Sequence, residues 1–393
     1  MSAALEYDPF SYAVHADPYP IYRRLREEAP AYFNPKHGFW ALSRYHDVRA
    51  ALLDHETYCS GKGFLLEDIA ELQMPMVIGM DPPDHTRLRA TIMRALTPRR
   101  IAGLEPSVRA RARSLLDPVR ESGRSDLIAD FAGRLPMSVI AEMLCVPAGD
   151  REELRRLADE LVNREDSRAA LPERSAQAGV KIGDYFARML AERSAAPGDD
   201  LLSLLLAAER AGEIDRAEIV GFCFLLIIAG NETTTKLIGN LVYQLSEHPA
   251  EYRRLLADRS LVPNAIEETL RFDTSTHMMA RTLTRDVELH GETMTAGRKV
   301  ALLLASGNRD ERQWEDADRY DIGRDASGHL AFGLGIHHCM GSALARLETR
   351  VALEEILDAM PGFRVVDEKI ERVHSGNVRG FSRLPLEFAP TKR

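Results

Sequence analysis

The sequence predicts a mainly α-helical chain with a small β portion. Three observations carry this expectation. Apolar residues recur at intervals of three and four over most of the length, and the stretch from Asp215 to about Glu247 reads as one unbroken helix. After Phe272 the pattern changes to short alternating runs separated by turn signals.

Taken in order, residues 20–26 carry a short helical pattern, FWALS at 39–43 reads as a strand, and a helix is expected from His46 to Asp54. Residues 60–80 mix glycine, methionine and apolar side chains without a clean period and read as a loop. After the proline pair 82–83, DHTRLRATIMRAL starts a helix with Asp84 as its expected cap. Helical patterns follow at 103–121, 133–145 and 150–163, whereas 164–178 is polar and is expected to be mobile. Asp215 and Glu218 then have the spacing of a capping box, and Pro249 closes the long helix. Some 32 residues at 1.5 Å each give a rod of about 48 Å, long enough to cross a whole domain. Its middle, FCFLLIIAG, is apolar all round, which places it inside the molecule. A further helix ends near Phe272, and the β portion follows with turns at His290-Gly291 and Ala296-Gly297. A loop region from Arg309 to Ile336 leads to a last helix, residues 341–360, which Pro361-Gly362 stops.

The 393 residues are 45% apolar and 28% charged, which excludes disorder and provides for a large core. No repeat or boundary divides the chain, so a single domain over residues 1–393 is expected. A net charge of −9 argues against a nucleic-acid partner, which would need a basic face. The four cysteines are widely spaced, suggesting neither a disulfide framework nor a zinc ribbon, and fit a reducing cytoplasm. The first twenty residues lack the basic start and apolar run of a secretory signal, and the apolar run 221–230 is short of a span. A soluble, unanchored chain is expected.

The strongest chemical signal is FGLGIHHCMG, residues 332–341. Three glycines let the backbone turn sharply and approach a flat partner, and Cys339 lies just ahead of a helix whose N-terminus favours a thiolate. Such a thiolate could be a metal ligand or a nucleophile. A cysteine hydrolase or a zinc site using His337 or His338 is therefore an alternative, although no third zinc ligand is evident. In the long helix, Gly230 weakens the helix and Glu232 is costly to bury unless partnered. The AGNETTT segment is thus either a kink packed on a neighbour, with threonines bonded back to helix carbonyls, or the wall of a small-molecule groove. Glu268 and Arg271 share a helix face, but so do Glu121 and Arg124, Glu152 and Arg155, and Glu251 and Arg254. His85 and Arg89 lie one turn apart.

Phe332, Gly335, His337, Cys339 and Gly341 together resemble the haem-thiolate signature of the cytochrome P-450 monooxygenases, with Met340 a mild departure. Ala229, Gly230, Glu232 and Thr233 resemble that family's oxygen-activating segment, and Glu268 with Arg271 its Glu-x-x-Arg pair. The resemblance covers nearly the whole chain and implies the cytochrome P-450 fold, a long central helix crossing a haem domain. It implies Cys339 as the axial ligand of haem b, with Phe332, Gly333 and Gly341 around the sulfur and Ala229 and Gly230 on the other side. His85, Arg89, Arg281 and His337 would meet the propionates, as a buried dianion requires. Glu232 and Thr233 would relay protons to O2, and Glu268 and Arg271 would brace the structure.

The implied reaction inserts one oxygen atom from O2 into a mostly apolar small organic substrate. Electrons would come from NAD(P)H through an external ferredoxin and ferredoxin reductase, or a flavodoxin, docking near Arg94, Arg99, Arg100, Arg346 and Arg350. The pocket would draw on Leu65, Leu66, Met76, Ile78, Leu226, Met278, Met279 and Phe381, and Arg379, His277 or Arg168 could anchor a carboxylate. A peroxide-driven haem enzyme or a non-catalytic haem protein is the alternative, against which the Glu232–Thr233 pair argues. No nucleic acid or membrane partner is implied.

Overall fold

The computed structural model describes residues 5–392 except 68–73, 163, 171, 197, 199, 367 and 368. Helices form at the expected places: Tyr19–Glu28, Tyr45–Leu53, Asp84–Ala95, Glu105–Leu116, Leu135–Met143, Arg151–Val162, Val262–Phe272 and Ser342–Ala359. Two details differ. Asp84 is no cap: Pro83 already has helical dihedrals, so Asp84 falls inside the first turn and its carboxylate faces Arg87 at 3.6 Å instead. The polar stretch expected to be mobile contains the start of a 23-residue helix, Glu173–Ala195, whose buried face carries Ala178, Ile182, Phe186 and Leu190.

The long helix runs from Arg216 to Glu247. Its capping box is complete: the Asp215 carboxylate accepts the Glu218 amide at 2.8 Å, and the Glu218 carboxylate accepts the Asp215 amide at 2.9 Å. The rod is continuous but not uniform, because Leu226–Gly230 forms a π segment between two α-helical parts. Ile219, Phe222, Cys223, Phe224 and Ile227 belong to one hydrophobic cluster, which includes Leu88, Ile140, Leu157 and Phe186. Leu237, Ile238, Leu241, Val242 and Leu245 belong to another, around Val108, Leu127, Ile266 and Val351. By length and composition this helix could cross a membrane, but in the fold it lies among other helices.

The β portion is wider than the sequence pattern suggested. A five-stranded sheet has the order Ala31–Asn34, Phe39–Leu42, Lys299–Leu302, Met279–Leu283, Tyr58–Cys59. The two N-terminal strands pair antiparallel, and Trp40 lies opposite Val300 in the one parallel contact of this sheet. Arg281 also pairs with Val300, which fixes it in the middle of the sheet.

The segment between Asn308 and the last helix has little regular structure and is held from one side by Arg271. Arg271 is fully buried and donates through Nε and Nη2 to Glu268, both bonds 2.7 Å. Its remaining donors reach the carbonyls of Asn308 at 2.9 Å, Ala317 at 2.8 Å and Arg319 at 3.1 Å. Glu268 also accepts the Asp321 amide at 3.0 Å. The equally spaced Glu152 and Arg155 pair at 2.7 Å, with side chains 65% and 24% exposed. Removing one partner of a desolvated pair leaves an uncompensated charge. Arg271→Ala should therefore lower unfolding stability by about 3–5 kcal/mol, whereas Glu152→Ala should cost less than about 1 kcal/mol. Denaturant titrations of the two variants measure this contrast, and equal losses would contradict it.

Candidate active site

A cavity of about 350 Å³ separates the π segment of the long helix from the loop 332–341. The loop turns through left-handed backbone at Gly333 (φ +64°) and Gly335 (φ +68°). At Gly335 a side chain would also lie 2.8 Å from the carbonyl of Leu52, so glycine is required twice over. The Cys339 amide donates to the Phe332 carbonyl at 2.9 Å, closing the loop and leaving the cysteine on the cavity wall. Phe332 lies beneath the Arg346 guanidinium, 4.6 Å from its ring centre, and a Cβ at Gly341 would stand 3.9 Å from the cysteine Sγ.

Burial raises the Cys339 thiol pKa, while the Gly341 amide, Arg89, Arg346 and the Ser342 amide act in the opposite direction. Burial thus works against the thiolate that the helix terminus favours. A zinc site is not formed, since no three His, Cys, Asp or Glu residues converge on a common point among the described residues.

On the same wall His85, Arg89, Arg281 and His337 come together. The His85 and His337 rings are 4.3 Å apart; both nitrogens of His85 and Nε2 of His337 are buried without a hydrogen-bond partner. Arg281 is 4% exposed and donates to the carbonyl of Ala280 at 2.8 Å, and Arg89 donates to the carbonyl of His338 at 2.6 Å. Neither arginine forms an ion pair with a carboxylate among the described residues, although Asp81 acts on Arg281 from further away. Burial, then Arg281, His85 and Arg89, lower the His337 pKa to about 3, and burial lowers that of Arg281 to about 10. Two guanidiniums outside any carboxylate ion pair, beside two imidazoles with unpartnered ring nitrogens, suit a ligand with a negatively charged edge. The chemistry of the cysteine, the glycine turns and these basic side chains fits a flat, iron-bearing, anionic cofactor such as haem b.

Across the cavity, Thr233 Oγ1 donates to the carbonyl of Ala229 at 2.6 Å, at the end of the wide turn. Both readings of this segment hold at once. A Cβ on Gly230 would come within 2.6 Å of Ile140 Cδ1, so the glycine permits close helix packing, while Ala229, Gly230, Glu232 and Thr233 all line the cavity. Glu232 is 1% exposed, accepts from Asn231 at 3.2 Å and pairs with Lys236 at 3.0 Å. Burial opposes its ionisation, but Lys236, Asp159 and Arg155 more than offset this and lower its pKa. Sequence reasoning missed Lys236, although its i, i+4 spacing from Glu232 was a usable signal.

Of the expected pocket residues, Leu65, Met76, Ile78, Leu226 and Met279 line the cavity; Leu66, Met278 and Phe381 do not. Met279 and Arg281 are two apart on one strand and share the cavity face, which turns Met278 away into a cluster with Tyr22 and Leu303. Leu66 packs against that same cluster. Phe381 is fully buried beside Tyr243, with ring centres 4.9 Å apart, and under Arg372. Phe64, Phe222, Phe224 and Ile228 add to the apolar lining. The expected anchors also lie elsewhere: Arg379 pairs with Asp273 at 3.2 Å, His277 meets the Tyr22 hydroxyl at 3.2 Å, and Arg168 pairs with Glu165 at 2.7 Å. Besides Arg89 and Arg281, Arg164 lines the cavity, paired with buried Glu67 at 2.8 Å. Most of the proposed docking arginines have carboxylate partners: Arg94 with Glu213, Arg346 with Glu267 at 2.6 Å, and Arg350 with Glu105 at 2.6 Å.

The sequence model of the cytochrome P450 family matches residues 173–366. The chain is 44% identical over 385 residues to the Mycobacterium tuberculosis protein provisionally named cytochrome P450 123, covering 96% of each. It is 40% identical over 397 residues to the vitamin D(3) 25-hydroxylase of Pseudonocardia autotrophica, covering 98% of this chain and 97% of that one. The crystal structure of CYP109E1 from Bacillus megaterium in complex with testosterone superposes with a TM-score of 0.89 at 30% identity, covering 96% of this chain and 99% of that one. With a cysteine loop facing a widened helix turn, and relatives aligned over nearly its full length, this chain belongs to the cytochrome P450 family and is a monooxygenase of that family.

Proposed function

We propose that the chain is one haem-thiolate domain, residues 1–393, that hydroxylates a mostly apolar small molecule in the cytoplasm. The carrying observation is the cavity itself, with Cys339, Arg89 and Arg281 on one wall and Thr233 on the other. Cys339 would hold the haem iron, and His85, Arg89, Arg281 and His337 would hold the propionates. Bound haem supplies oxygen activation, helped by electron donation from the thiolate. The chain's own residues do the rest. Phe332 and Gly341 shield the sulfur from water, Ala229 and Gly230 keep the opposite wall close and open, and Thr233 orients a water or hydroxyl proton in the cavity. Glu232 supplies protons to Thr233, and Glu268 with Arg271 keeps the cysteine loop's approach in place.

Electrons would come from NAD(P)H through a ferredoxin and its reductase, or a flavodoxin. The lining of Phe64, Met76, Ile78, Phe222 and Leu226 supports a lipophilic substrate. Since one relative is named for vitamin D(3) hydroxylation and another binds testosterone, rigid hydrophobes of steroid or secosteroid size form the substrate class.

Cys339→His should abolish the red-shifted thiolate band of the reduced carbon monoxide complex; an unchanged spectrum would assign the iron another ligand. Thr233→Ala should retain haem and ligand binding, seen as an unaltered spin-state shift on adding testosterone, yet divert reducing equivalents to hydrogen peroxide. Undiminished coupling to product would remove Thr233 from proton delivery.

A further inference from the structure

Glu232 has a second carboxylate beside it. Its carboxylate lies close enough to that of Asp159 for the two to share a proton; Asp159 is on the helix Arg151–Val162, which packs against the long helix at and beyond the π segment. The two carboxylates differ in access to water. The Glu232 side chain is 2% exposed, whereas that of Asp159 is 39% exposed. Arg155 donates to Asp159 at 2.7 Å and, through its other nitrogens, to Glu152. Lys236, 4% exposed, pairs with Glu232 from the inner side. Two carboxylates this close cannot both be ionised cheaply, so the pair holds a proton between a buried and a wetted oxygen.

We infer that Asp159 is a positioning residue for proton entry, taking protons from water and handing them to Glu232, while Lys236 and Arg155 hold the two carboxylates in register. This rests on the role proposed above for Glu232 and Thr233. Each transfer is a proton moving between oxygens. Water protonates the Asp159 carboxylate, and the proton crosses the shared hydrogen bond to Glu232. Glu232 releases it to a hydroxyl or water at Thr233 for the reduction of dioxygen, whose electrons come from the donor protein. Asp159 is then a carboxylate again and is recharged from solvent. Its charged neighbours are Arg155 and Glu152 on its own helix side and Glu232 and Lys236 across from it. Partial burial and the Glu232 charge raise the Asp159 pKa to about 7, which suits a group that both gains and loses protons near neutrality.

A mere clamp between two helices would use the same contacts, so the test reads proton content and not only activity. In infrared pH titration of the haem-loaded wild type, a protonated-carboxyl band should vanish as pH rises through about 7. The band should be missing in Asp159→Asn and present in Asp159→Glu. With a surrogate ferredoxin and reductase and no organic substrate, the share of electrons released as hydrogen peroxide should rise with pH in the wild type. In Asp159→Asn it should be high and flat with pH, raised about 3- to 10-fold, less than the ~10²-fold effect of losing a directly acting acid; Asp159→Glu should restore the wild-type profile. No titrating band in the wild type, a band that survives in Asp159→Asn, or an unchanged peroxide share in that variant would each overturn the inference. A wild type without the thiolate band would overturn the reading of Cys339 instead, and the infrared band would still decide the carboxyl pair.

Discussion

A guanidinium removed from water must find protein acceptors for its N–H groups, and at Arg271 those acceptors are scattered along the chain. Three are carbonyls between Asn308 and Arg319, a stretch that contributes no helix or strand of its own to the core. Glu268, held by the same guanidinium, reaches the amide of Asp321. One charge pair thus does for an irregular segment what a hydrogen-bond ladder does for a sheet. The Cys339 loop starts where this segment ends, with the Leu330 amide fixed on Asn308 Oδ1 at 2.7 Å.

The other wall depends on a different constraint. The long helix serves two hydrophobic clusters in succession, and the π segment lies between the residues that serve each. A π turn holds more residues per turn than an α turn, so the faces on either side of it are out of phase. The first part can bury Phe222 and Phe224, the second can bury Leu237 and Leu241, and the turn between them faces open space. Local widening and cavity position are therefore one feature, not two.

What the sequence made legible was local. The capping box, the last helix, the glycine turns around Cys339 and the shared face of His85 and Arg89 depend on spacings of two to four residues, which a single sequence displays. The missed features depend on distant pairing. FWALS was legible as a strand, but its neighbour Lys299–Leu302 lies over two hundred residues away, so nothing nearby announces that pairing or the strand Ala31–Asn34 beside it. Asp159 stands on an amphipathic helix where it reads as an ordinary surface acid; only the packing of that helix on the long one gives it a buried partner. The pocket list failed at Met278 for a smaller reason, since neighbouring residues of an extended segment face opposite ways and the register is set by a remote strand.

The arginines on the cysteine side carry a consequence for encounter with an electron donor. Arg346 and Arg350 are each matched by a carboxylate of the same chain, so at these two positions the surface presents alternating signs at short range and little net field at a distance. Attraction from afar fades over about 8 Å at physiological ionic strength even for an unbalanced patch. For a balanced one, association would be governed by surface fit and by exchange of one carboxylate for another, with only a shallow dependence on added salt.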